Sequence, residues 1–156
     1  MATRTEISVE LKGVHLCCLG CVNAANAALR SVEGVGSHCD MENRTVTLTA
    51  GDDSAARKAL VALAAAGFYG TSNNPNLAMK PVGDVPRGKV KRVTVSGIHN
   101  CCGPCCRAIK GAISAVDGVT GDTAEPGVTT FEVTGDFRPA DLVEELNAAG
   151  FSARVT

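Results

Sequence analysis

Tryptophan is absent from this 156-residue chain, and aromatic residues make up only 3% of it. Its cores must therefore be built from Val, Leu, Ile and many Ala, which suits thin helix-on-sheet packing. An excess of one charge is also missing: 15 basic residues face 16 acidic ones, for a formal net charge of −1. With no basic stripe interleaved with aromatics, nothing supports nucleic-acid binding. No apolar run approaches the roughly 18–20 residues of a membrane span. The opening Met1-Ala2-Thr3-Arg4-Thr5-Glu6 lacks the apolar middle of a secretory leader and runs straight into a strand-like pattern. A cytoplasmic location is the expectation; an exported chain whose leader had been cleaved would read the same way. A phosphate loop and a general acid–base constellation are missing too, so no enzymatic turnover is expected.

Cysteine, by contrast, is plentiful. Seven of the eight lie in or beside two similar stretches, Gly13-Val14-His15-Leu16-Cys17-Cys18-Leu19-Gly20-Cys21 and Gly97-Ile98-His99-Asn100-Cys101-Cys102-Gly103-Pro104-Cys105. Adjacent cysteines bridge only with strain, and closely spaced ones close trivially small loops. A secreted disulfide framework is therefore a poor reading, and metal binding or redox chemistry a better one.

The repeat extends well beyond the cysteines. Glu6 to Leu11 alternates with period two, as a half-buried strand does. Val22, Ala25, Leu29 and Val32 then recur at helical spacing. Gly34-Val35 opens a second strand running to about Met41, and Asn43-Arg44 turns it into a third, Thr45–Thr49. Gly51-Asp52-Asp53-Ser54 supplies capping residues for a second helix with Leu60 and Leu63 on its apolar stripe. Ala66-Gly67-Phe68 ends that helix, and a short last strand begins at Phe68. In the second half, Val93 and Val95, Cys106 to Val116, Gly118-Val119, Phe131 and Val133, Val143 and Leu146, and Ala149-Gly150-Phe151 answer these features in order.

Each unit thus reads strand–helix–strand–strand–helix–strand. That order predicts an α+β protein of two tandem ferredoxin-like βαββαβ domains, each a four-stranded antiparallel sheet with two helices on one face. The expected domains are residues 1–72 and 89–156. A linker rich in Pro, Gly and Asn spans 73–88. Each unit is about 70 residues, a size at which a single core is only marginally stable.

Both cysteine loops fall between the first strand and first helix of their unit. A thiol there feels unpaired N–H groups and the positive end of the helix dipole, which favours thiolate, the form that binds metal. Cys18 and Cys21, and likewise Cys102 and Cys105, form C-x-x-C pairs whose sulfurs can converge on one ion. Two soft thiolates suit Cu(I); Zn(II) needs further donors.

The G-[VI]-x-Cys loop between strand and helix, the Gly-Val that opens the second strand and the closing A-G-F resemble the heavy-metal-associated domain. That ferredoxin-like module occurs in copper chaperones and at the N-termini of metal-pumping ATPases. The resemblance covers nearly the whole chain as two copies. It implies Cu(I) or another soft ion held by paired cysteines, with transfer by ligand exchange to a partner metal-binding domain or transporter. Two departures stand out. Val14 and Ile98 replace the family's usual Met, and Leu16 and Asn100 stand where its first cysteine would fall. If Cys21 and Cys105 match the second family cysteine, each loop is two residues longer. Cys18 and Cys102 then take the first ligand place, with Cys17 and Cys101 as extra thiols.

The candidate metal ligands are therefore Cys17, Cys18, Cys21, Cys101, Cys102 and Cys105. Cys17 and Cys101 are either third ligands, able to hold trigonal Cu(I) or to help Zn(II), Cd(II) or Hg(II), or unused neighbours. His15 and His99 are either ligands or hydrogen-bonding groups that tune the thiolates. Cys106 falls on the apolar stripe and reads as core, while Cys39 reads as an unliganded strand residue. Two other functions stay open. Cys102-Gly103-Pro104-Cys105 spells the thioredoxin tetrapeptide, which suits dithiol–disulfide exchange. A protein-interaction module that uses no metal is the third.

Overall fold

A computed structural model describes residues 6–80, 82–100 and 103–156. Its strands are β1 (Ile7–Lys12), β2 (Gly36–Asp40), β3 (Thr45–Ala50), β4 (Thr71–Ser72), β5 (Val90–Ser96), β6 (Val119–Asp122), β7 (Thr130–Phe137) and β8 (Arg154–Val155). Its helices are α1 (Leu19–Arg30), α2 (Asp53–Ala65), α3 (Gly103–Ser114) and α4 (Pro139–Ala148). They build two four-stranded antiparallel sheets, ordered β2-β3-β1-β4 and β6-β7-β5-β8. In each, the third strand of the unit lies between its first and second, which is the ferredoxin-like arrangement expected from the element order. No helix among the described residues is long and apolar enough to cross a membrane.

The strand patterns follow from burial on one face. In β1, Val9 and Leu11 are buried and pair with Leu48 and Val46 of β3, which are also buried. The hydroxyls of Thr45, Thr47 and Thr49 occupy the alternate positions, only partly covered. A slip of one residue would exchange these two sets, so the apolar alternation fixes the register. In the second sheet, Val93 and Val95 pair with Val133 and Phe131 in the same manner.

The helices cover the buried faces. Asp52 caps α2, its carboxylate accepting a hydrogen bond from the Ala55 amide at 2.8 Å. That helix buries Ala56, Ala59, Leu60, Leu63 and Ala64. In α1 the buried line is Cys21, Ala25 and Leu29, with Val22 and Val32 only partly covered. The stripe thus lies one residue from where hydrophobicity alone places its start, because Cys21 takes the inward position. In α3, Cys105 and Cys106 are both buried, and Cys106 packs in the second core as expected of a small apolar side chain. The stretch after β4 forms a short 3-10 turn at Pro75–Leu77, and Leu77 and Met79 bury in the first core.

One expected strand start is corrected. The last strand of the first unit begins at Thr71, not at Phe68. Phe68 instead forms an antiparallel bridge with Phe151, its counterpart in the other unit. Around it, the Ser152 amide donates to the Gly67 carbonyl at 2.9 Å, and the Tyr69 amide donates to the Gly150 carbonyl at 3.0 Å. The A-G-F segments that close the second helices thereby join the two units to each other.

Candidate metal centre

This junction brings the start of the first cysteine loop against the second unit. Gly150 has a φ of +93°, and a Cβ built there would lie 2.3 Å from the His15 amide nitrogen. Gly67, with a φ of +96°, would place its Cβ 2.0 Å from the His99 amide nitrogen. Both positions need glycine for its left-handed backbone and also for close approach of the other unit's loop. The His15 ring stacks on Phe151 and the His99 ring on Phe68, with centroids 4.4 Å apart in each pair. Each unit's histidine therefore rests on the other unit's phenylalanine, a two-fold pattern within one chain.

Three of the described thiols, Cys17, Cys21 and Cys105, meet beside this clasp. Cys17 Sγ lies 3.5 Å from Cys21 Sγ and 3.5 Å from Cys105 Sγ. Cys21 and Cys105 are 3.8 Å apart. A ring nitrogen of His15 joins these three sulfurs in a group whose four potential ligand atoms all lie within 4.8 Å of one another. Cys18 stands at the N-cap of α1 and reaches Cys21 at 3.8 Å, outside that four-atom group. Cys101 and Cys102, also candidate ligands, lie outside the described residues.

Local structure accounts for the placement. Cys18 takes an extended backbone (φ −158°), and its carbonyl accepts the first helical hydrogen bonds, from the Cys21 and Val22 amides. Helix geometry then turns Cys21 inward, into the same buried line as Ala25 and Leu29. Leu16 and Asn100, each just before a vicinal cysteine pair, are both buried. Asn100 donates to the Glu125 and Val128 carbonyls at 2.7 and 2.8 Å, which ties the second loop to the turn before β7. Val14 and Ile98, which follow the first glycine of each loop, are core residues. Cys39 sits in β2 with its thiol 3.3 Å from the Asn26 side-chain oxygen, and burial raises its pKa. It takes no part in the cluster.

The two histidines are environmentally unusual. His99 Nε2 lies 3.2 Å from Cys21 Sγ, placed to share a proton with the thiol or to donate to a thiolate. His15 Nε2 is buried and makes no hydrogen bond among the described residues. Burial first, then the neighbouring His99 and Arg44, bring the His15 pKa down to about 4; burial likewise lowers that of His99. Both rings are therefore neutral near pH 7, the state in which an imidazole nitrogen can bind metal or accept a hydrogen bond.

The donor set suits a thiophilic ion. Four ligands around a tetrahedral ion with metal–sulfur bonds of about 2.3 Å stand about 3.8 Å apart. The three sulfur separations of 3.5, 3.5 and 3.8 Å need little adjustment to reach that spacing. Soft sulfur ligands select soft or borderline ions over Mg(II) or Ca(II), which prefer oxygen. The sequence picked out the cysteines and the histidines. It did not reveal the partnership of Phe68 with His99 and of Phe151 with His15. The signal for it was the A-G-F repeat, whose glycine and phenylalanine end a helix and also receive the other unit's loop.

No protein-family model matches the chain, and no curated protein matches it. Among solved structures it is similar to the N-terminal soluble domains of Bacillus subtilis CopA, determined in solution. The identity is 12% and the TM-score 0.35, over 99% of this chain and 97% of that one.

Proposed function

We propose that this protein binds a soft heavy-metal ion through the thiolates of its two cysteine loops and either hands it on or buffers it. The observation that carries the reading is the convergence of Cys17, Cys21 and Cys105 within 3.8 Å of one another. Sulfurs packed this closely repel one another as thiolates, and a cation relieves that repulsion. Cu(I) is the first choice, since it accepts two or three thiolates; Zn(II), Cd(II) and Hg(II) are the alternatives. Cys18 and the candidate ligands Cys101 and Cys102 belong to the same proposed set. Binding without turnover, a cytoplasmic setting, and a metal-binding domain or transporter as exchange partner complete the proposal.

The test is titration of the fully reduced protein, without oxygen, with Cu(I) and with Zn(II) against competing chelators. Affinity several orders of magnitude above that of a small free thiol is the expected result. Affinity no better than a free thiol would overturn the reading.

A redox function is the second reading, favoured by the 3.5 Å separation of Cys17 and Cys105: thiol–disulfide exchange with a disulfide oxidant such as oxidised glutathione, which leaves as two thiols, would join these sulfurs across the units after a modest rotation. Equilibration with glutathione redox buffers checks it. A reversible disulfide poised near the potentials of thioredoxins supports redox exchange; one formed only under strong oxidants removes it.

A further inference from the structure

We infer that the two units hold the ion jointly, between Cys17 and Cys21 of one and Cys105 of the other, and that closure of the units on each other is part of binding it. The inference rests on the metal-binding reading and deepens it. Two loops of similar sequence suggest two independent sites. Among the described residues the two loops instead converge: Cys17 is as close to Cys105, 88 residues away, as to Cys21 in its own loop. Cys105 even packs with the core of the first unit, fully buried, while its neighbour Cys106 packs with the second.

Contacts that contain no thiol also join the units. The Phe68–Phe151 bridge, the amide of Ser152 on Gly67 and those of His15 and Tyr69 on Gly150 hold the units together. The stacked rings of His15 and His99 extend the same clasp to the edge of the sulfur cluster. His99 reaches across to Cys21 at 3.2 Å, and His15 brings a ring nitrogen to the cluster. An ion bound there is ligated from both sides of the junction. Its affinity then includes the free energy of closing the junction, and its release requires the junction to loosen. The closed form accordingly retains its ion, and handover to an acceptor passes through an opened one.

Two comparisons test this. The first counts ions by native mass spectrometry on reduced protein loaded with Cu(I) or Zn(II) under chelator competition. Cys105→Ser leaves Cys17, Cys18 and Cys21 intact, and Cys17→Ser/Cys21→Ser leaves Cys105 intact. A joint site loses all tight binding in either variant. Independent sites lose half in each, which would overturn the inference while leaving the metal reading standing. Wild-type protein that binds neither ion tightly fails that reading itself.

The second comparison leaves every thiol in place. Gly67→Ala forces a Cβ into the His99 backbone, whereas Gly34→Ala carries a similar left-handed strain (φ +78°) with nothing within 4 Å. At least a tenfold weaker affinity is expected for Gly67→Ala than for Gly34→Ala. Equal affinities would show that closure contributes nothing. If circular dichroism finds Gly67→Ala unfolded, Gly150→Ala against Gly127→Ala repeats the comparison. Gly127 also has a positive φ (+84°) and open space around it.

Discussion

At the residue scale, the position of a cysteine in its helix decides what its sulfur does. Cys105 and Cys106 are adjacent and both buried, yet they belong to different cores. Replacing Cys106 by Ala should leave metal stoichiometry unchanged and cost about 1 kcal/mol of stability, the ordinary penalty for trimming a core side chain. Parallel metal titration and urea unfolding check both halves of that statement. His15 gives a second residue-level prediction. Its pKa of about 4 in the folded chain lies below the ordinary 6.5, so the unfolded chain binds more protons between those values. Its contribution to stability is complete above pH 6.5 and is lost as the pH falls toward 4. The urea midpoint of the metal-free, reduced protein should therefore drop across that window. His15→Gln should flatten the drop, and an unchanged profile in that variant would refute the assignment.

At the scale of elements, capping and alternation carry most of the architecture. Asp52→Ala removes the cap of α2 and should cost about 1 kcal/mol in urea unfolding. Leu29→Ala, at a fully buried position on α1, should cost about 2–5 kcal/mol. Strand and helix order was legible in the sequence because these signals are local. Alternation in β1 and β3, the Asp52 cap and the glycines after α2 and α4 each act within a few residues. The start of the buried line in α1 was not legible, since hydrophobicity ranks Val22 above Cys21 while the helix turns Cys21 inward. Nor was the pairing of Phe68. Nothing within the first unit tells a phenylalanine that it will bridge a residue 83 positions away rather than begin a strand. The site was half legible for the same reason. Residue types named the thiols, but the convergence of Cys17 and Cys21 with Cys105 is a long-range property to which local spacing is blind.

At the scale of the whole molecule, the proposed binding of an ion to the folded chain would be thermodynamically linked to folding. A free-ion concentration 100 times the dissociation constant should raise stability by about 2.7 kcal/mol. If one ion spans both units, that gain should appear in both at once. Hydrogen exchange of β5 and β7 amides should slow along with that of β1 and β3 when Cu(I) is added. Protection confined to one sheet would contradict a shared site.

The reciprocal stacking of His15 on Phe151 and His99 on Phe68 has a consequence for assembly. A self-complementary face is satisfied by one mate, whereas a head-to-tail contact always leaves an end free to add another molecule. In this chain the mate is supplied in the same polypeptide, at a local concentration that no dilution can lower. The converging thiols of the two loops are thereby directed at each other, and the number of chains per assembly should stay the same as metal is added.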